Sequence, residues 1–300
     1  MNRPFGDARL SPMQVMPRVS ESTASARSAA SAAAESAGLT VRDLKEVGDL
    51  ERLSKIFAEI WSAPDSMITP ELLRALSHAG NYVAGAFSNG DLIGGIVGFL
   101  GMEDGRVILH SHILGVLPQT QSRNAGFALK QDQRAWALER GIDRARWTYD
   151  PLVSRNAYFN ISKLGARVSA YYSSFYGAMS DGVNSGDESD RVLIEWDLTS
   201  DAAVSAGLGL NTSPDVKALL SNGASTILDD GDGAPRVTEA KDSNMLLCLV
   251  PRDILEVRER DLDLALSWRR ALRSTLGAAL DRGFVVDSFS RSGCYVLTRP

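Results

Sequence analysis

Apolar and polar positions alternate in a pattern that divides the chain into two ordered stretches with a polar segment between them. In the first stretch, short apolar runs of strand length surround two segments with helical spacing, residues 50–61 and 128–141. The predicted strands of this stretch are 40–44, 81–87, 92–100, 107–115, 142–149, 168–176 and 191–198. Asn89-Gly90 is a strong hairpin signal, so the strands around it form an antiparallel meander.

The second ordered stretch lies at the C-terminus. We predict a strand over 244–250, a long helix over 253–282 that ends at Gly283, and two strands over 284–289 and 295–298. The expected division of the chain is therefore a flexible or partly helical N-terminal segment, a main domain, a linker with short elements and an α+β subdomain, over residues 1–38, 39–198, 199–243 and 244–300. Disorder is expected over 1–20, and 20–38 is either an Ala-rich helix ended by Gly38 or a flexible tail.

Composition excludes several classes of protein. A net charge of −5 over 300 residues argues against a nucleic-acid partner, which usually meets a basic surface. We expect no membrane span and no signal peptide, because no apolar run approaches about 20 residues and the N-terminus lacks an apolar segment. Cys248 and Cys294 lie in apolar runs typical of buried thiols in a reducing cytoplasm. The histidines and cysteines lack the spacing of a zinc site, so we expect no metal.

A candidate anion-binding turn lies between the strand 107–115 and the helix that follows it. The first N–H groups of a helix have no partner inside the helix, and the helix dipole adds positive charge there. A strand, a polar turn containing glycine and a helix start therefore form a site suited to a pyrophosphate.

This turn resembles motif A of the GNAT superfamily of acyl-CoA-dependent N-acyltransferases, Gln/Arg-x-x-Gly-x-Gly/Ala. Two registers fit, Arg123-x-x-Gly126-x-Ala128 and Gln121-x-x-Asn124-x-Gly126. We prefer the second, which puts Pro118 and the helix-ending Gly141 at their usual places in the family. Asn124 then occupies the position of the first glycine, and asparagine tolerates positive φ better than most residues.

The segment 155–166 resembles motif B of the same superfamily, whose helix ends in a Leu-Gly turn, here Leu164-Gly165. Many members carry a tyrosine four residues before that glycine as the general acid for the leaving thiolate. Ile161 occupies this position, so the resemblance assigns no acid, and Tyr158 is one turn earlier. The resemblance covers roughly residues 39–198 and is closest to a poorly characterised bacterial branch of the superfamily.

The resemblance implies an α/β protein with a mixed, mostly antiparallel sheet, splayed central strands and flanking helices, extended by the C-terminal strand-helix-strand-strand unit. It implies an N-acyltransferase that moves an acetyl or other short acyl group from acetyl-CoA or another acyl-CoA to a small-molecule amine, with an amino acid as the most specific guess. The alternatives are a GNAT-like binding or regulatory protein without transferase activity, and transfer from a donor other than CoA. The C-terminal unit is expected to cover the substrate or form a homodimer.

The resemblance also implies which residues hold the donor. Backbone groups of the strand end would pair with the pantetheine amides, and the turn and helix start would meet the pyrophosphate. The predicted cofactor-binding residues are Leu114, Gly115, Val116, Gln121, Ser122, Arg123, Asn124, Ala125, Gly126, Phe127, Ala128 and Asn156.

Catalytic candidates follow from the chemistry, since the acceptor amine must lose a proton before it attacks the thioester. His110 and His112 are two residues apart on one strand, share a face and titrate near neutrality, so they are the first candidates for the base; a polar core role is the alternative. Asp150 is the rival base or a helix cap, and Tyr158 is a candidate acid. The predicted acceptor-binding residues, which packing would also explain for the aromatic ones, are Trp61, Arg155, Tyr171 and Tyr172, with Arg155 as a carboxylate clamp.

Overall fold

A computed structural model describes residues 17–62, 68–118, 124–177, 186–239 and 243–300. The disorder predicted for residues 1–20 falls almost entirely outside these ranges. The described chain forms a seven-stranded sheet and a five-stranded sheet, each covered by helices.

The seven-stranded main sheet is built from the strands predicted for the first stretch. Its strands follow the order β1-β2-β3-β4-β5-β7-β6, and all neighbours are antiparallel except β4 and β5. Asn89 and Gly90 both have positive φ, 50° and 89°, as the hairpin signal predicted. The strands are β1 (Thr40–Asp43), β2 (Tyr82–Ser88), β3 (Asp91–Glu103), β4 (Arg106–Val116), β5 (Arg144–Tyr149), β6 (Arg167–Tyr172) and β7 (Arg191–Asp197). The expected mixed, mostly antiparallel sheet is confirmed.

Helices cover the main sheet on both faces. They are α1 (Pro17–Ser36), α2 (Val47–Ile60), α3 (Pro70–His78), α4 (Ala125–Leu138) and α5 (Ser154–Ala157), which continues as a π-helical segment, Tyr158–Lys163. The Ala-rich segment is a helix and not a flexible tail, because its alanines, including Ala26 and Ala30, are buried against the outer side of α4. Arg27 fixes this contact through an ion pair with Asp132.

The segment predicted as a linker with short elements contributes two strands to the second sheet. Strands β8 (Ser225–Gly231) and β9 (Ala234–Val237) lie inside the segment 199–243, together with the helices α6 (Asp201–Gly207) and α7 (Val216–Ser221). β8 pairs in parallel with β10 (Met245–Leu249), so this segment is part of the C-terminal sheet and not a connection to it. The sheet order is β11-β12-β10-β8-β9, with β11 (Val285–Phe289) and β12 (Cys294–Thr298).

The predicted long C-terminal helix is interrupted. It consists of α8 (Ile254–Arg260), α9 (Leu262–Leu272), a π-helical segment (Arg273–Gly277) and α10 (Ala278–Asp281). The break falls at Asp261, which is extended (φ −155°, ψ 96°) and whose side chain accepts a hydrogen bond from the Leu264 amide. The N-cap bond of α9 thus compensates the lost helical turn.

One continuous hydrophobic core joins the two sheets. It contains Trp147 and Trp196 of the main sheet together with Trp268 and Phe289 of the C-terminal part. Both cysteines are buried and free, and burial raises the pKa of each thiol. Among the described helices none is long and apolar enough to cross a membrane, and the described residues hold no cluster of three or more His, Cys, Asp or Glu that could bind a metal ion.

Candidate active site

A gap opens in the main sheet between β4 and β5. Within the described chain the two strands pair at two positions, Leu109↔Ala145 and His110↔Arg146. Beyond His110, β4 continues along β3 and β5 continues along β7, so the C-terminal halves of the two strands share no ladder. These are the splayed central strands that the resemblance implied.

A β-bulge in β4 lies at the start of this gap. Val97 of β3 pairs with Ile113, and Gly98 pairs with Ser111, so His112 is the extra residue on β4. A bulge bends its strand and re-aims the side chains beside it. The bulge therefore bends β4 where the gap begins.

The start of α4 lies beside the end of β4. Asn124 has a left-handed backbone (φ 84°) immediately before α4, and its carbonyl accepts the first helical hydrogen bond, from Ala128 N over 2.9 Å. The amides of the first turn, including that of Gly126, thus have no helical partner. A side chain at Gly126 would contact Leu114 of β4 and Phe159, so the helix start borders the gap.

The backbone at position 124 supports the preferred motif register, because a left-handed residue is what a glycine in that position would supply. Asn124 Oδ1 accepts a hydrogen bond from Lys163 Nζ over 2.8 Å. The predicted pyrophosphate residues Gln121, Ser122 and Arg123 lie outside the described residues.

Trp61 packs behind the second half of β4. A Cβ at Gly115 would come within 3.0 Å of the Trp61 ring and 2.8 Å of Ile60, so this glycine permits the close approach of helix and strand. Phe57 meets Trp61 edge-on, with ring centroids 5.7 Å apart. Trp61, predicted to bind the acceptor, therefore supports the strand that carries the predicted donor-binding residues Leu114, Gly115 and Val116.

His110 and His112 lie together on one face of the sheet. Their ring centroids are 5.9 Å apart, and Phe99 of β3 stacks on His110 at 4.7 Å. Burial, the neighbouring histidine and Lys130 lower the pKa of His110 to about 4, and burial lowers the pKa of His112. Both imidazoles are therefore neutral at pH 7 and able to accept a proton.

A lysine lies at the same point on the other face of the sheet. Lys130 of α4 is buried, and its Nζ donates to Ser111 Oγ of β4 over 2.7 Å. The same Nζ lies 3.5 Å from the ring centroid of Trp147 of β5. Lys130 was not among the predicted site residues. A lysine is rarely buried, so its position between Leu129 and Gln131, on a helix that packs against a sheet, was a signal that could have indicated it.

Asp150, the rival base, lies at the end of β5 inside a buried ion-pair network. Both of its oxygens accept from Arg269, over 2.5 and 2.8 Å, and Asp187 is the second carboxylate of the network. Arg258 is the second guanidinium, and Leu152 N also donates to Asp150. These contacts occupy the carboxylate and join the main sheet to α8 and α9, and the role of Asp150 as a base stays a prediction.

The tyrosines predicted to act in catalysis or to bind the acceptor have different environments. Tyr158 OH accepts a hydrogen bond from Arg291 Nε over 2.8 Å, and Tyr171 OH donates to Asp190 over 2.6 Å. Burial raises the pKa of Tyr171. Tyr172 is exposed, and Ile161, at the position of the family's acid, is buried. The position from which the family protonates its thiolate therefore carries no hydroxyl group in this chain.

Arg155 and Asn156 lie exposed at the start of α5. Arg155 lines a cleft of about 420 Å³ that also contains Arg252 and the acidic residues Asp253 and Glu256. The cleft thus combines two arginines, which can bind a carboxylate, with two acidic residues.

Four features together define the architecture of the main sheet. They are the order of the strands, the single parallel pair that opens into a gap, the bulge in β4 and the helix that starts beside the gap. This is the arrangement that the resemblance to the GNAT superfamily implied. Two neutral histidines lie on one face of the gap and a buried lysine lies on the other. The gap brings together His110, His112, Asn124, Gly126 and the strand end 114–116, but not Asp150 or Tyr171.

Solved structures similar to this chain include several acetyltransferases. The acetyltransferase of GNAT family from Streptococcus pneumoniae is 16% identical over 52% of this chain and 98% of that chain, with a TM-score of 0.43. yncA from Salmonella typhimurium, with its cofactor acetyl-CoA, is 18% identical over 54% of this chain and 94% of that chain, with a TM-score of 0.44. Ard1 from Thermoplasma volcanium is 18% identical over 53% and 96%, with a TM-score of 0.40. No family model and no curated protein matches the sequence.

Proposed function

We propose that this protein is an acyl-CoA-dependent N-acyltransferase that acylates a small-molecule amine in a ternary complex. The observation that carries the proposal is the gap between β4 and β5, which opens directly after the pair His110↔Arg146. An extended pantetheine chain can replace the missing ladder, because the inner edge of β4 beyond this pair presents backbone groups that need partners.

The start of α4 supports the same donor. Its free amides, its dipole and the ammonium group of Lys163 provide positive charge beside the end of the gap, where the pyrophosphate of CoA would lie. Asn124 has a left-handed backbone, which glycine adopts without strain, and its side-chain oxygen is bonded to Lys163. These two features support a phosphate site at the start of α4.

The acceptor would approach from the face that carries His110 and His112. A neutral imidazole takes the proton that the acceptor ammonium must lose, and Phe99 holds the His110 ring in place. His112 is the more exposed of the two, so we assign the base to His112 and a supporting role to His110.

Within this class we place amino acids first among the acceptors, because Arg155 and Arg252 line one cleft at the start of α5. An arginine fork binds a carboxylate in a bidentate manner. Exchange of Arg155 for methionine should then raise KM for amino acids but not for matched amines that lack the carboxylate.

The direct test is incubation of the protein with acetyl-CoA or succinyl-CoA and a panel of amino acids and polyamines, with product detection by mass spectrometry and release of free CoA. Formation of an N-acyl product supports the proposal. Binding of CoA without product would favour the non-catalytic alternative, which Ile161 also motivates, and neither binding nor product would favour a donor other than CoA.

A further inference from the structure

Ser111 and Trp147 are the first residues beyond the last paired positions of β4 and β5, and both face α4. Lys130 reaches between them: its Nζ lies 2.7 Å from Ser111 Oγ and 3.5 Å from the centroid of the Trp147 ring. Its third neighbour is Gln133 Oε1, at 3.3 Å on its own helix. The amino group therefore lies at the closed end of the gap, on the face opposite the histidines.

The amino group of Lys130 is buried, with 4% of the residue exposed, and its hydrogen bonds go to a hydroxyl and an amide. A buried ammonium without an ion pair loses its hydration, which lowers the pKa of Lys130 well below the ordinary lysine value of 10.5. Besides Ser111 and Gln133, the group faces the Trp147 ring, and His110 is the titratable neighbour whose pKa it affects. Lys130 is consequently a stronger acid than an ordinary lysine.

A thioester in the gap would lie between the sheet face that carries the histidines and the opposite face, which carries Ser111 and Lys130. The acceptor amine is deprotonated on the histidine face, and the departing thiolate needs a proton or a positive charge on the other face. Ile161 cannot supply the proton, because its side chain is aliphatic. Ser111 and Lys130 form a hydrogen-bonded polar pair at the closed end of the gap, on the face opposite the histidines.

We propose that Ser111 protonates the departing CoA thiolate and that Lys130 is the positioning residue that supplies the proton through Ser111. The inference rests on the proposed function. The acceptor nitrogen forms its bond to the thioester carbon, and the C–S bond breaks with its electron pair on sulfur. The Ser111 hydroxyl proton moves to sulfur, and a Lys130 Nζ proton moves to Ser111 oxygen. Solvent then restores the proton to Lys130, and the base releases the acceptor's proton.

The pair should be visible in the pH profile of kcat. The acid form of Lys130 is present below its pKa, so kcat should fall as pH rises through that pKa, below 10.5. Lys130→Met should lower kcat by about 10²-fold or more and remove this alkaline limb, while the Kd for CoA changes little. Lys130→Arg keeps the charge and stays protonated, so the limb should move to higher pH.

Ser111→Ala should reduce kcat to a similar degree with Lys130 still present, and it covers the case in which Lys130→Met fails to fold. Gln131→Met, at a buried neighbouring position of α4, is the matched control and should keep the wild-type profile. For each variant, calorimetry first measures the Kd for CoA. The release of free CoA from acetyl-CoA in the presence of the acceptor amine then gives kcat. Wild-type kcat and alkaline limb in Ser111→Ala or Lys130→Met would overturn this inference alone, whereas a wild type that binds no CoA would overturn the proposed function itself.

Discussion

Lys163 Nζ donates a hydrogen bond over 2.8 Å to Asn124 Oδ1, where the backbone of Asn124 is left-handed (φ 84°) and α4 begins. A positive charge beside the positive end of a helix is unfavourable unless an anion lies nearby. The pyrophosphate of CoA would be that anion. The pair also draws the asparagine amide toward Lys163, which leaves the amides of the first turn accessible.

Exchange of Asn124 for glycine should preserve or tighten the binding of acetyl-CoA. Glycine adopts the left-handed conformation without strain and removes a side chain beside the phosphate site. Asn124→Ala is the matched comparison, because it retains a Cβ at positive φ and should cost about 1 kcal/mol of unfolding free energy. Calorimetry with acetyl-CoA and urea denaturation measure both effects. A tenfold weaker affinity in the glycine variant would show that the asparagine itself holds the donor.

Removal of the imidazole at His112 should lower kcat by about 10²-fold. The acid limb of the kcat profile, which lies below 6.5 because burial lowers the pKa of His112, should disappear in His112→Ala. His78→Ala is the control, since His78 is exposed at the end of α3. Equal activity and equal acid limbs in the two variants would contradict the assignment of the base.

The lowered pKa of His110 also affects stability. Between pH 6.5 and about 4 the unfolded chain binds a proton at this site that the folded chain does not, so the free energy of unfolding falls as pH decreases through this window. In His110→Phe this contribution is absent. The variant should therefore lose less stability than the wild type between pH 6.5 and 4, as measured by urea denaturation at each pH. Parallel curves for the two proteins would exclude the effect.

Arg269→Met should destabilise the protein by about 3–5 kcal/mol, because it leaves Asp150 and Asp187 buried with one guanidinium fewer. Arg270→Met, at the exposed neighbouring position, should change stability by about 0.5 kcal/mol at most. Asp150→Asn should also destabilise the fold, yet its folded fraction should keep the wild-type kcat. A selective loss of kcat in Asp150→Asn at full stability would restore Asp150 as a base.

The strands of the main sheet could be predicted from the sequence because their signals are local. Asn89-Gly90 specifies a hairpin, and the apolar run from Val107 to Gly115 specifies a strand. The splayed strands and the helix start came from two motifs whose spacing matched a known family. Local signals and a resemblance were together sufficient to predict the main sheet.

The rest depended on contacts between distant residues. Asp150 meets Arg269 across 119 positions, so no local pattern could show that its carboxylate is occupied. The sequence around β8 was interpreted as a linker. β8 pairs in parallel with β10, so no hairpin turn between the two strands marks the pairing in the sequence. The contact between Lys130 and Ser111 joins a helix to a strand 19 positions away, so no local pattern specifies it.

The central claim is that the gap between β4 and β5 holds an acyl-CoA. Calorimetric titration of the wild-type protein with CoA, acetyl-CoA and succinyl-CoA tests it most directly. We predict micromolar binding of acetyl-CoA or succinyl-CoA, with the preference between them indicating the acyl group. Absence of binding for all three ligands would contradict the account and leave a donor other than CoA, or a protein without transferase activity.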